Sequence, residues 1–146
     1  MNAVLRGELR LLPMTVAELN AVVLIEAEAY DFPWTRGNFI DSLAAGYLAR
    51  LLRNNEGRVA GYFVAMKGVE EMHLLNLTVA SAEQGRGHAR CMLDELAALC
   101  TTMHARQLYL RYGFRHVGVR RGYYPALQNR REDAAVMSLD VNGGLP

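Results

Sequence analysis

The sequence predicts a mixed α/β sandwich in which helices cover a central mixed sheet, and three observations predict it. Between Tyr47 and Val79, three strand-length apolar runs follow one another across short turns, the pattern of an antiparallel meander. The last run passes through a two-glycine loop into a segment with helical apolar spacing, the first half of a parallel crossover. Near the end, Arg115–Arg120 and Ala134–Asp140 read as strands that close the sheet as a hairpin. Residues 1–146 are expected to form one domain, near the commonest domain size.

In chain order, Glu8–Leu12 reads as a first strand stopped by Pro13, which has no backbone donor. Thr15-Val-Ala-Glu18 is a capping-box pattern. The helix it opens runs to about Ala29 with apolar residues nearly all round, so it is expected to be well buried. Thr35 caps a second, short helix to about Ala45, and Gly46 stops it. Tyr47–Arg53 is the second strand, Asn54-Asn-Glu-Gly57 a hairpin turn, and Val59–Met66 the third strand. Lys67–Glu71 turns into the fourth strand, Met72–Val79. Ala89, Met92, Leu93, Leu96, Leu99 and Cys100 then mark one face of a third helix to about Met103. A long polar connection, Arg121–Asp133, joins the last two strands.

Bulk properties narrow the function classes. The net charge of +1, without a basic block, gives little drive toward nucleic acid. No apolar run approaches the roughly 18 residues of a membrane span, and the N-terminus lacks a signal-peptide core. A cytoplasmic protein is expected. Cys91 and Cys100 fall nine residues apart on one predicted helix, about 13.5 Å and beyond the ~7 Å reach of a disulfide, so both read as buried thiols. His73, His88, His104 and His116 show no metal-ligand spacing, and no metal is expected.

The stretch from Val79 to Ala89 carries the chemistry. A strand-to-helix loop with Gly85 and Gly87 exposes backbone N–H groups that the helix dipole reinforces, a seat for phosphate or pyrophosphate. The bland alternative is a small-residue turn. No Gly-Lys-Ser/Thr follows, and Arg90 stands where a dinucleotide fingerprint needs glycine or alanine. Gln84-x-x-Gly87-x-Ala89 resembles the pyrophosphate loop of the GNAT superfamily of acetyl-CoA-dependent N-acetyltransferases. Asp31-Phe32-Pro33-Trp34-Thr35, Tyr112-Gly113-Phe114, Arg120-Arg121-Gly122-Tyr123-Tyr124-Pro125 and Arg131-Glu132-Asp133-Ala134 with Met137 extend the likeness in order. From about Glu8 to Leu139 the chain is similar to the RimI-type alanine N-acetyltransferases, which modify the N-terminus of a small-subunit ribosomal protein.

That resemblance implies a GNAT-like sheet flanked by helices and acetyl-CoA as co-substrate. The backbone at Leu77, Thr78 and Val79 is then expected to face the pantetheine. Gly85, Arg86, Gly87, His88, Ala89 and Arg90 are expected to hold the pyrophosphate, although a solvated side chain is the safer reading of His88. Phe32, Pro33 and Trp34, with Tyr123 and Tyr124, are expected to clamp the peptide, with a role as local core caps for Trp34 and Tyr124 as the alternative.

One departure matters. The family places a fifth strand, a turn and a fourth helix before the Tyr-Gly-Phe, but only His104–Arg111 stands there. The resemblance puts the general-base glutamate on that fifth strand and an acetyl-CoA-binding asparagine just after it, and neither has a counterpart. Tyr109 matches the general-acid tyrosine at the start of the fourth helix, with a core aromatic as the alternative. Glu70 and Glu71 are substitute bases in position, although solvated turn carboxylates are the commoner case. Either the sequence omits residues that the protein possesses, which the abrupt cut favours, or the protein is shortened. Both predict a break or a disrupted fifth strand at Arg106–Tyr109. Two other functions stay open: a GNAT enzyme for a small amine or lysine, and a catalytically weak module that binds acyl-CoA or a partner.

Overall fold

A computed structural model describes residues 3–5, 9–111 and 136–140. Among these residues, seven strands form one sheet in chain order: β1 (Ala3–Leu5), β2 (Leu9–Pro13), β3 (Leu48–Arg53), β4 (Val59–Gly68), β5 (Glu71–Val79), β6 (Gln107–Arg111) and β7 (Val136–Asp140). Neighbours pair antiparallel except β5 and β6, which run parallel through the crossover helix α3 (His88–Thr102). Helices α1 (Leu19–Ala29) and α2 (Arg36–Ala44) lie between β2 and β3 in the chain. The expected mixed sheet flanked by helices is what forms. β1, three residues long, is too short for periodicity to reveal.

Caps set the helix starts as the sequence suggests. The Thr15 side chain accepts from Ala17 N–H and the Glu18 carboxylate accepts from Thr15 N–H, opening a 3-10 turn that leads into α1. Thr35 and Asn38 exchange the corresponding bonds at α2. The first helix is less buried than its composition suggests. Only Leu19, Val22 and Glu26 are buried, while Leu24 is 68% exposed on the far side. Leu24 thus lies mostly in solvent, and a carboxylate, Glu26, occupies the inner stripe.

From Gly61 onward the period of two along β4 builds two cores, and a bulge at Ala60, opposite Leu52–Arg53, shifts the phase before it. Ala60, Phe63 and Ala65 face α3 with Met92, Leu93, Leu96 and Cys100, while Tyr62 and Val64 face α1 and α2 with Leu19, Val22 and Phe39. At Gly61, β4 lies close against Met92 of α3. A Cβ there would stand 2.7 Å from the Thr78 carbonyl oxygen and 2.9 Å from Met92 Cε.

β5 changes phase once. Val64 pairs with Asn76 but Ala65 pairs with Leu74, so Leu75 is the extra residue of a β-bulge. Met72 and Leu74 before it, and Leu77 and Val79 after it, all face the α3 core. The bulge thereby turns Asn76 and Thr78 away from that core, onto the α1 side.

The fifth strand corrects the sequence expectation. Backbone runs without a break from α3 into a regular β6, which pairs Glu71–Leu74 with Gln107–Leu110 on one side and β7 on the other. The turn between them is tight: His104 takes φ 60°, and Arg106 N–H donates to Glu70 O at 2.8 Å. That bond brings the chain directly to the open edge of β5, so Gln107–Arg111 takes the parallel position. Tyr109 accordingly sits in mid-strand, opposite His73 and Ser138, and not at a helix start. Tyr112-Gly113-Phe114, the expected strand Arg115–Arg120, the connection Arg121–Asp133, Tyr123 and Tyr124 lie outside the described residues.

Candidate active site

The β5–α3 junction forms the loop that the sequence singles out. Gly85 and Gly87 both take φ +81°, the left-handed region that glycine occupies without strain. Gly87 is the N-cap of α3, and the first helical bond closes from Cys91 N–H to Gly87 O at 3.0 Å. Amides ahead of Cys91 have no earlier turn of helix to bond to, which leaves the end suited to an anion. Gly85, Arg86, Gly87 and Arg90 are exposed there, and Ala89 is buried under the helix.

His88 is not the solvated loop histidine of the sequence reading. Its side chain is buried and its Nε2 lies 3.1 Å from Glu83 Oε1. Its Nδ1 is buried without a hydrogen-bond partner among the described residues. Glu83 also accepts from Asn54 Nδ2 at 3.2 Å and from Arg86 at 3.4 Å. Burial alone would raise the Glu83 carboxyl; the His88 and Asn54 hydrogen bonds and the Arg86 charge outweigh it and hold the group below the usual glutamate range. The carboxylate ties the glycine loop to the β3–β4 hairpin, where the Asn54 side chain accepts from Glu56 and Arg58 N–H.

The strand edge beside the loop is open in the required place. β6 pairs with β5 only as far as Leu74, whereas β4 pairs with β5 to Val79 on the other side. From Leu75 to Val79, the β6-facing edge of β5 has no paired strand among the described residues. Among the described residues, the Leu77, Thr78 and Val79 backbone therefore runs along an unpaired edge toward the N-terminus of α3. Their side chains are buried on either face.

On the α1 face of the sheet the structure assembles groups that the sequence reading missed. Glu26, 2% exposed, accepts from Tyr62 Oη at 2.7 Å and Asn76 Nδ2 at 3.0 Å through Oε1, and from Trp34 N–H at 2.9 Å through Oε2. Thr78 donates to Asn76 Oδ1 at 2.8 Å. Tyr30 Oη lies 2.8 Å from Thr78 Oγ1 and 3.2 Å from Leu77 O. Burial, offset in part by Thr78 and reinforced by the Glu26 charge, pushes the Tyr30 phenol up to about 12. Burial and Glu26 raise Tyr62 further still. Both phenols are therefore donors at neutral pH.

The same face of β5 and β6 carries His73 and Tyr109, their rings stacked at 5.0 Å and 16°. His73 Nε2 lies 2.6 Å from Glu71 Oε2. Glu70 stays a solvated turn carboxylate beside Arg106. The structure thus gathers Tyr109 and Glu71 with His73, to which the sequence pattern gives no role. In the α1–α2 connection, Phe32 is 94% exposed and Pro33 is exposed. Trp34 packs on Phe39 at 5.2 Å as a core cap, so its ring is engaged from behind.

This geometry agrees with known proteins. The [ribosomal protein bS18]-alanine N-acetyltransferase of Escherichia coli strain K12 is 29% identical over 143 residues, covering 88% of this chain and 95% of that protein. The crystal structure of the ribosomal-protein-S18-alanine N-acetyltransferase from E. coli superposes with a TM-score of 0.72 at 25% identity, covering 97% of this chain and 94% of the other. Over most of its length the chain is thus similar to alanine N-acetyltransferases, and its fold is that of GNAT structures. A more distant GNAT fold, the PaiA N-acetyltransferase from Thermoplasma acidophilum solved with coenzyme A, superposes at TM-score 0.72 with 8% identity, covering 90% of this chain and 98% of that one. A scan against family models finds no match. The 143 aligned positions exceed the 88% of 146 residues that the match takes up, so the chain is internally shorter than its relative.

Proposed function

We propose that this chain is an acetyl-CoA-dependent N-acetyltransferase acting on the N-terminal amine, alanine in the first instance, of a ribosomal protein in the cytoplasm. The observation that carries the cofactor assignment is the parting of β5 and β6 after Leu74, beside a left-handed glycine loop that opens α3. Acetyl-CoA supplies the thioester that the amine attacks. The chain supplies binding and proton management. Backbone groups of Leu77–Val79 orient the pantetheine along the open edge. Amides from Gly85 to Arg90 receive the pyrophosphate, with His88 serving through its backbone while its ring braces Glu83.

An α-amine, with a pKa of about 7.7–8.0, is already partly neutral at cytoplasmic pH, whereas a lysine amine at about 10.4 is not. The demand for a base is accordingly modest. β6, Gln107-Leu-Tyr-Leu-Arg111, carries no carboxylate. The Glu71–His73 pair, on the face shared with Asn76 and Thr78, is the acid–base couple we assign to taking the amine proton, and Tyr109 is the phenol assigned to the leaving thiolate. Exposed Phe32 and Pro33, with Tyr123 and Tyr124, form the peptide side.

The test is intact-mass detection of acetyl transfer to two peptides: one beginning with alanine, the other N-terminally blocked with a free lysine. Faster transfer to the alanine amine is expected. Equal rates at neutral pH refute the N-terminal assignment. The carboxylate-free β6 also favours a second reading, a slow enzyme that chiefly binds acyl-CoA. It is distinguished by tight acetyl-CoA binding without transfer to any amine.

A further inference from the structure

Glu26 sits on the inner stripe of α1 without an ion-pair partner among the described residues, held by three neutral donors. Its carboxylate only accepts, and that fixes the direction of everything bonded to it. The Asn76 amide must turn its NH2 to Glu26, so its carbonyl faces Thr78. Thr78 must then donate to Asn76, which leaves its oxygen to accept from Tyr30. The chain of bonds ends at Tyr30, whose single proton goes to Thr78 Oγ1 at 2.8 Å and whose oxygen lies 3.2 Å from the Leu77 carbonyl, on the open edge of β5. The other carboxylate oxygen holds the Trp34 backbone N–H, directly after the exposed Phe32-Pro33. One buried side chain thus grips the loop on the peptide side and orders the strand on the cofactor side.

We propose that Glu26 is a positioning residue that anchors the Phe32-Pro33-Trp34 loop to β5 and sets the polarity of the Asn76–Thr78–Tyr30 relay. The inference rests on the reading of that loop as the peptide site. A glutamine at 26 keeps the shape, but its NH2 must face either the Trp34 N–H or both Tyr62 and Asn76, and where its neutral oxygen still holds the Trp34 N–H it does so more weakly than a carboxylate, so the loop anchor is loosened in both orientations.

The experiment measures Glu26→Gln in two ways. Steady-state kinetics with an alanine-terminated peptide is expected to show the peptide KM raised about tenfold. Acetyl-CoA affinity should fall less than peptide affinity, because the network touches Leu77 and Thr78 but the pyrophosphate loop lies outside it. Trp34 is the sole tryptophan, so its fluorescence reports the loop without reference to activity. Red-shifted emission and stronger acrylamide quenching are expected. Unchanged peptide KM in the folded variant, or unchanged Trp34 emission and quenching, overturns the proposal. Tyr62→Phe keeps the ring and removes one of the three donors. Should Glu26→Gln not fold, Tyr62→Phe is expected to give an intermediate rise in quenching, and its absence overturns the proposal equally. Wild-type protein that transfers nothing to the peptide would defeat the functional reading, while the Trp34 measurements would still judge the anchor.

Discussion

Replacing Gly85 with alanine separates the strain of a backbone conformation from the use made of it. Gly85 and Gly46 have nearly the same φ, +81° and +80°, and an added Cβ at either meets nothing within 4 Å. Forcing a residue with a side chain into the left-handed region costs about 1–2 kcal/mol, and the lower entropy of the unfolded alanine chain adds further change of about 0.4–1 kcal/mol in the opposite direction. A net loss of about 1 kcal/mol is expected for both, or a Tm lower by roughly 3–5 °C for a chain of this length. At Gly46, the turn that ends α2, that is the whole effect. At Gly85, on the proposed reading of the loop, the methyl would also enter the space through which a phosphate oxygen reaches the loop amides. Losing one charge-assisted hydrogen bond is worth about 1.5–3 kcal/mol, roughly 10- to 150-fold in affinity. Thermal melts and calorimetry with acetyl-CoA read the two parts separately. Equal Tm losses with weakened binding in Gly85→Ala alone are expected. Coenzyme affinity in Gly85→Ala matching that of Gly46→Ala refutes the assignment of the loop.

Three further outcomes follow from the packing and the buried acids. Gly61→Ala pushes a methyl into the Thr78 carbonyl and Met92; overpacking of this kind costs about 1–3 kcal/mol, and an unchanged Tm would show that β4 and α3 have room to part. Glu83 is held below its ordinary range, so the stability it adds is full above the unfolded value of about 4.3 and disappears as pH falls through the folded value. The gap in Tm between wild type and Glu83→Gln should therefore close on acidification, and a gap that widens contradicts the sign. Tyr30, raised to about 12, adds stability below the ordinary tyrosine value of about 10 that is lost as pH rises toward its own. Ultraviolet titration should give wild type and Tyr30→Phe the same amplitude near pH 10, and a smaller amplitude in the variant would refute the burial argument.

Legibility tracked local periodicity. Caps at Thr15 and Thr35, the β3–β4 hairpin and the glycine loop were readable because each is written in adjacent residues. The order of antiparallel strands before a crossover gave the fold. The Leu75 bulge was also readable, as one apolar residue too many between His73 and Asn76, but it had been merged into a continuous buried run. Glu26 was hidden for a different reason: a carboxylate among aliphatic residues of a helix reads as surface until the three donors from β4, β5 and the α1–α2 connection are placed around it. Tyr109 was given a helical context by its likeness to a motif, whereas pairing on both edges made that segment a strand. Hydrogen bonds to neighbours distant in the chain decided the matter.

Strands that neighbour each other in the sheet also follow each other in the chain, and this has a kinetic consequence. β3, β4 and β5 can assemble by zipping from their hairpins, whereas β6 can dock only after the fifteen residues of α3 have folded back over the sheet. Loop closure of that kind slows late steps, so the seam between β5 and β6 is expected to be last to form and among the first to open. A ligand seated where those strands diverge would act as a splint across the seam. Amide exchange in β6, more than in β3 or β4, should slow when acetyl-CoA is added, because binding energy stabilises only states in which the seam is closed.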